Sequence, residues 1–265
     1  MPGLEVTMIS LDEQYIKTEQ EIAKMQAAGS LNALVLEEVR KLIKPGVMTR
    51  DLDNAAEAII RDHGGIPTFK GYPGPYPYPA TLTISINEEM VHGIPSGREL
   101  KEGDIVSVDC GTTLEGYIGD SAFTTGVGEI GEAEDRLIRV TRESLYKGIE
   151  QLRPGKHLGD VSAAIQEHVE SFGYHVPRKY TGHGVGRQMH EPPQVPNFGI
   201  PGQGLVLKEG MTIAIEPMVL MGTPKTRVLS DQWTVISADH SLTAHYEHTV
   251  AVTNNGPLIL TKVQG

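Results

Sequence analysis

Leu100-Lys101-Glu102-Gly103, followed by Asp104-Ile105-Val106-Ser107-Val108-Asp109, returns later in the chain as Leu207-Lys208-Glu209-Gly210, followed by Met211-Thr212-Ile213-Ala214-Ile215-Glu216. Each tetrapeptide is a turn that opens onto a strand-like run. Side chains alternate across a strand, so Val106 and Val108 share one face and Ser107 and Asp109 the other. In the second copy Ile213 and Ile215 oppose Ala214 and Glu216. Both runs close on a carboxylate, which makes Asp109 and Glu216 equivalent positions of a duplicated half.

The flanking sequence repeats as well. Lys44-Pro45-Gly46 precedes Thr49, Asp51, Leu52, Ala55, Ile59 and Gly64; Arg153-Pro154-Gly155 precedes Leu158, Asp160, Val161, Ala164, His168 and Gly173. Each copy reads as a helix, a Pro-Gly break and a second helix. Leu31 to Leu42 and Arg136 to Leu152 supply the first helices, and Gly64 and Gly173 stand where the second ones stop. A surface turn repeated by chance would not carry the helices and the acids along at nearly one offset. The pattern predicts an α+β fold: one antiparallel sheet with a pseudo-two-fold axis, covered by helices. It predicts a single domain over 1–265, made of halves at about 15–128 and 129–262.

Composition narrows the function. The net charge of −11, from 34 acidic against 23 basic residues, argues against a general nucleic-acid binder, and no direct nucleic-acid specificity is expected. No stretch approaches the roughly 20 apolar residues of a membrane helix, and Met1 to Ser10 lacks the pattern of a signal peptide. The one cysteine, Cys110, forbids an intramolecular disulfide and fits a cytoplasmic setting. A cysteine hydrolase built on Cys110 has no evident histidine partner in sequence, and no Gly-x-Ser-x-Gly elbow exists.

Asp109 and Asp120 flank Leu114-Glu115-Gly116, a turn signal. A hairpin centred between Leu114 and Glu115 would set the two carboxylates directly opposite, roughly 5 Å apart, where like charges repel unless a metal bridges them. Downstream lie Thr181-Gly182-His183-Gly184-Val185-Gly186-Arg187, then His190-Glu191-Pro192, then Tyr246-Glu247-His248-Thr249. The glycines let backbone come close around His183. Their spacing is not that of a phosphate-binding Gly-x-Gly-x-x-Gly loop. Asp109, Asp120, His183, Glu216 and Glu247 are four carboxylates and one imidazole, which two divalent cations would bring to charge neutrality. Left without cations, such a buried cluster would protonate or repel. Singly, each residue has an ordinary structural explanation; the duplicated placement of Asp109 and Glu216 joins them.

These stretches resemble the type I methionine aminopeptidases, which have the pita-bread fold. The likeness runs from Lys17 to about Thr261. It is carried by 87–95 (NEEMVHGIP), 104–111 (DIVSVDCG), 116–120 (GYIGD), 181–196 (TGHGVGRQMHEPPQVP), 211–218 (MTIAIEPM) and the 231–249 region ending in YEHT. The resemblance implies removal of the initiator methionine from nascent polypeptides with a small second residue. It implies that Asp120 and Glu247 bridge two metals, that Asp109 holds one, and that His183 and Glu216 complete the other. Glu216 would be the general base, with His92 and His190 binding peptide and stabilising the tetrahedral intermediate. Tyr72, Tyr78, Thr83, Met189, Trp233 and Phe69 match positions that line the family's methionine pocket. Mn, Fe, Co and Zn all suit this donor set. The likeness further implies a monomer, no membrane, contact with the ribosome, and processing of the chain's own start, where Pro2 is small.

The chain departs from the family pattern at several positions. Pro75-Tyr76-Pro77 reads as an insertion, His245 stands where Gln is usual, and Met189 where an aromatic is common. Glu89 and Thr243 fall at positions tied to a monovalent cation. Two other readings share the fold: an X-Pro aminopeptidase or dipeptidase, which would keep all five ligands, and a non-catalytic peptide-binding protein, which would have lost some of them.

Overall fold

The computed structural model describes residues 13–263, so Pro2 and the start of the chain lie outside it. Four helices, α1 (Glu19–Leu42), α2 (Thr49–Asp62), α3 (Glu132–Ile149) and α4 (Leu158–Ser171), accompany a nine-stranded sheet. Six strands build its middle: β1 (Leu82–Ile86), β2 (Ile105–Leu114), β3 (Tyr117–Gly126), β4 (Thr181–Gly184), β5 (Thr212–Ile215) and β6 (Glu247–Thr253). Their spatial order is β1-β2-β3-β6-β5-β4, and every pair is antiparallel. Read from the middle outward, the order is the same in both halves, so a pseudo-two-fold axis passes between β3 and β6.

The repeat is legible atom by atom. Gly46 N–H donates to Leu100 O and Gly155 N–H to Leu207 O; Gly103 N–H donates to Val127 O and Gly210 N–H to Val252 O. All four glycines sit at φ +86°, a left-handed conformation that disfavours any residue with a Cβ, which is why the repeat keeps them. α2 and α4 are each 14 residues long, and Gly64 and Gly173 follow them at φ +74° and +78°.

Three boundaries differ from expectation. α1 begins twelve residues earlier than Leu31, because Thr18 and Glu21 form a capping box that satisfies the first turn. β2 continues to Leu114, so Asp109 lies in mid-strand, while Glu216 stands just past the end of β5. The hairpin register is also displaced. Glu115 and Gly116, at φ +50° and +78°, form the two-residue turn, so Leu114 pairs with Tyr117. Asp109 therefore faces Ala122, and Asp120 faces Gly111. A two-residue displacement keeps both carboxylates on one face, as diagonal rather than direct neighbours.

Helix α1 presses on the sheet directly behind Asp120. A Cβ on Gly119 would lie 2.5 Å from the Gly29 Cα, so helix and strand touch backbone to backbone. Beside this contact the buried Asn32 spans two strands: its Nδ2 donates to Cys110 O, and its Oδ1 accepts from Ser121 Oγ. The main apolar core joins Val106 and Val108 of β2 and Phe123 of β3 to Val35, Val39 and Leu52 of the first helix pair and Leu145, Val161 and Ile165 of the second. The helix layer thus braces the face opposite the acids.

Candidate metal centre and active-site cleft

All thirteen residues singled out from the sequence line one cleft of about 610 Å³. At its floor, β2 and β3 supply Asp109 and Asp120, β4 supplies His183, the end of β5 leads into Glu216, and β6 opens on Glu247. Backbone pairing fixes these positions. Thr83 faces Asp109, Ala122 faces Glu247, and His183 faces Ala214. Thr249 Oγ1 accepts from Asp120 N–H (3.0 Å) and donates to Asp120 O (2.8 Å), which pins the strand at that acid.

Asp120, His183 and Glu247 offer oxygen and nitrogen atoms that lie within 4.8 Å of one another. His183 Nδ1 is 2.9 Å from Gly184 O and donates to it, which leaves Nε2 with its lone pair. That Nε2 is 3.6 Å from both Asp120 Oδ2 and Glu216 Oε1, beyond hydrogen-bond reach. Asp109 Oδ1, Asp120 Oδ1 and Glu247 Oε1 are buried without any hydrogen-bond partner. Such groups are costly unless something pairs with them.

The electrostatics agree. Burial lifts the Asp120 carboxyl to about 7, and burial together with the neighbouring acids holds Asp109, Glu216 and Glu247 well above the carboxylate range. Burial pushes His183 down to about 3 and His92 to about 4, so both rings are neutral. A bound dication reverses the logic for the acids, favouring their charged forms. Cys110, buried and raised far above the ordinary thiol range, has no nucleophilic character, which removes the cysteine-hydrolase reading.

The upper cleft is apolar on one side and carries histidines on the other. Tyr72 Oη and His190 Nδ1 are 2.6 Å apart, and the His183 and His190 rings lie 4.3 Å apart. His92 holds φ +62°, strained for a residue with a Cβ, and its ring meets Trp233 at 6.3 Å. Tyr78 donates to Leu82 O and Gly93 O and packs edge-on against Trp233.

Three supporting features lie outside the expected site residues, and of these only His245 was marked in the sequence, as a departure from the family pattern. His245 is buried, with Nε2 unpartnered at 3.7 Å from Glu216 and 4.0 Å from Glu247. Lys17 and Glu191 form a buried ion pair of 2.6 Å, and Glu191 also accepts from the N–H groups of Arg187 and Gln188, tying down the loop that carries Met189 and His190. Asn32 is the third. Asn32 and Lys17 gave little signal because their partners lie far away in sequence. Thr243 Oγ1 lies 3.0 Å from Asn87 O and 2.9 Å from Glu89 O, so three oxygens converge there.

Comparison with known proteins gives consistent relatives. The profile of metallopeptidase family M24 matches residues 23–254. The methionine aminopeptidase of Clostridium acetobutylicum is 53% identical over 93% of this chain and 98% of its own length. Methionine aminopeptidase 1 of Bacillus subtilis is 49% identical over the same shares. Among solved structures, the methionine aminopeptidase of Thermotoga maritima superposes with a TM-score of 0.91 at 51% identity, over 93% of this chain and 98% of that one. The prolidase of Pyrococcus horikoshii reaches a TM-score of 0.77 at 24% identity, over 96% of this chain and 65% of that one, a likeness of fold alone.

Proposed function

The chain belongs to the methionine aminopeptidases of metallopeptidase family M24, with their pita-bread fold, and from that premise we propose how its own residues bind and cleave a Met-initiated polypeptide. The observation that carries the reading is the meeting of Asp109, Asp120, His183, Glu216 and Glu247 on one cleft floor.

The donor set suits a pair of divalent cations. Four carboxylates would neutralise them, three carboxylate oxygens have no hydrogen-bond partner among the described residues, and one imidazole presents a free nitrogen. Asp120 and Glu247 would be shared between the cations, Asp109 would hold one, and His183 and Glu216 the other. Oxygen and imidazole donors without thiolate suit Mn, Fe, Co or Zn. When bound, the cations supply Lewis-acid polarisation of the scissile carbonyl and acidify a water.

The chain's residues do the rest. Glu216, which stands just past the end of β5 on the cleft floor, would receive the proton of the attacking water, a role open to it once bound cations favour its charged form. Neutral His92 and His190 serve as hydrogen-bond donors to the carbonyl oxygen as it gains charge, and the Tyr72 hydroxyl fixes the His190 ring. Phe69, Tyr78, Met189 and Trp233 offer a soft wall for a thioether, whose contacts with aromatic rings are worth roughly 0.3–1.5 kcal/mol each. Thr83 faces Asp109 across the strands and orients it.

We place the reaction in the cytoplasm, on the N-termini of nascent polypeptides with a small second residue, by a monomer working near the ribosome. Among the described residues no helix is long and apolar enough to cross a membrane. A monovalent cation fits the oxygens of Asn87, Glu89 and Thr243. One catalytic domain would comprise both halves, 15–128 and 129–262.

The test is metal-stripped protein assayed on Met-Gly and X-Pro peptides with each metal restored in turn. Metal-dependent release of Met from the first peptide is expected. Preferential cleavage of X-Pro bonds would return the prolidase reading, and no turnover with any metal would return the peptide-binding one.

A further inference from the structure

The proline-rich segment 72–78 makes contacts that the cleft alone does not require. Residues 72–78 leave the body of the protein and return at nearly the same point: Tyr78 N–H donates to Tyr72 O (2.9 Å) and Gly71 N–H to Tyr78 O (2.8 Å). The excursion is thus a closed finger with Gly74, Pro75, Tyr76 and Pro77 at its tip, and its prolines fix φ. Tyr76 does not line the cleft. Its hydroxyl donates across 155 positions of sequence to Asp231 O at 2.9 Å, and its ring meets that of Trp233 edge-on at 6.2 Å and 89°.

Trp233 does line the cleft, and it lacks a polar anchor: its Nε1 is buried with no hydrogen-bond partner. Other groups hold it. Tyr78 and His92 pack against the ring, and a Cβ on Gly74 would lie 2.4 Å from the indole, so the finger's backbone touches it. The turn that bears Trp233 is itself rigid. Asp231 Oδ1 accepts the N–H groups of Trp233 and Thr234, Oδ2 accepts the Thr234 hydroxyl, and Gln232 stands at φ +65°. Tyr76 grips this turn by the one carbonyl adjacent to it, while the Gly74 backbone takes up the space beside the ring.

We propose that the Gly74–Pro77 finger is a positioning device for Trp233, and that Tyr76, from outside the cleft, sets the width of the cleft wall and so the side chains admitted. The claim about side chains rests on the methionine-peptide reading above; the claim that Tyr76 holds Trp233 does not. Tyr76 is a positioning residue acting through Trp233.

The chain has one tryptophan, so its fluorescence reports this ring alone. Tyr76→Ala should raise acrylamide quenching of Trp233 about twofold in the metal-free protein, since it removes both a ring contact and a hydrogen bond. In the metal-loaded enzyme KM for Met peptides should rise roughly three- to tenfold with kcat nearly unchanged, and discrimination against bulkier side chains should weaken. Tyr76→Phe, which keeps the ring, should fall between. Gly74→Ala, which pushes a methyl at the indole, should raise KM in the same way. Unchanged quenching in folded Tyr76→Ala overturns the proposal, as does a loss carried by kcat alone; if the alanine variant does not fold, Tyr76→Phe decides by the same criteria. Wild-type protein inactive on Met peptides would instead sink the functional reading, leaving the quenching result to stand by itself.

Discussion

Asp120 shows most directly how one side chain can oppose stability and serve chemistry. Its carboxyl is 1% exposed, one oxygen is unpartnered, and burial raises it from an ordinary 3.8 to about 7. A raised carboxylate binds its proton more tightly folded than unfolded. Its contribution to stability is therefore present at low pH and is lost as pH climbs from about 4 through 7. Above that range the metal-free fold bears a charge it cannot solvate. Asp120→Asn should thus stabilise metal-free protein at pH 8, while abolishing metal-dependent turnover. Urea melts of stripped wild type and variant at pH 5 and pH 8 check the sign: the gain should shrink at pH 5. Equal or lower stability of the variant at pH 8 would mean that Asp120 is better paired than its geometry indicates. Thr249 holds the backbone of Asp120 rather than its side chain, so the substitution leaves that bond in place.

At the scale of elements, two close contacts position the site. α1 reaches β3 through Gly29 and Gly119, where a side chain would strike backbone that cannot swing away. Gly119→Ala should destabilise by about 1–3 kcal/mol and displace Asp120, its neighbour; a thermal melt with a metal titration reads both. The loop 187–191 hangs on the buried Lys17–Glu191 pair. Lys17→Met should cost about 3–5 kcal/mol by stranding the Glu191 charge, and adding Glu191→Gln should recover part of that. A double variant as unstable as the single one would show that the pair's charge is not the cause. The sequence makes some of these elements plain and hides others. The LKEG repeat, the Pro-Gly breaks and the acids on alternating positions are local signals, and they lead to the sheet, the helix pairs and the floor of the cleft. The capping box at Thr18 is equally local, but the repeat that marks the helix pairs does not extend to it. The hairpin register turned on a φ preference at Glu115 and Gly116, which pattern alone leaves two residues ambiguous. Asn32 and Lys17 owe their roles to partners far along the chain, and nothing in their own neighbourhoods marks them, whereas His245 stands out as a departure from the family pattern but meets Glu216 only in the fold.

For the whole molecule, the consequence of duplication is that the acids belong to both halves. Asp109 and Asp120 come from the first, His183, Glu216 and Glu247 from the second, and β3 and β6 share a ladder register at only two positions, Ala122 with Glu247 and Ser121 with His248, beside the Thr249 hydroxyl on the Asp120 backbone. The seam of the sheet therefore runs through the densest negative charge in the cleft. Within the first half, by contrast, β2 and β3 pair over ten positions. Removing the metals should loosen the seam before it loosens either half. In hydrogen exchange, peptides covering 118–123 and 246–250 should lose protection in chelator at pH 8 more than peptides covering α1 or the β2 segment 105–108. Divalent cation at a hundredfold excess over its Kd stabilises by about 2.7 kcal/mol, so the melting temperature should rise by roughly 5–10 °C for a chain of this size. The two readouts separate two pictures of the fold. If exchange rises evenly over both halves, the metals stabilise the protein as one cooperative body. If it rises at the seam alone, the cations act as the clasp between two duplicated units, which is what the placement of the proposed ligands across the axis leads us to expect.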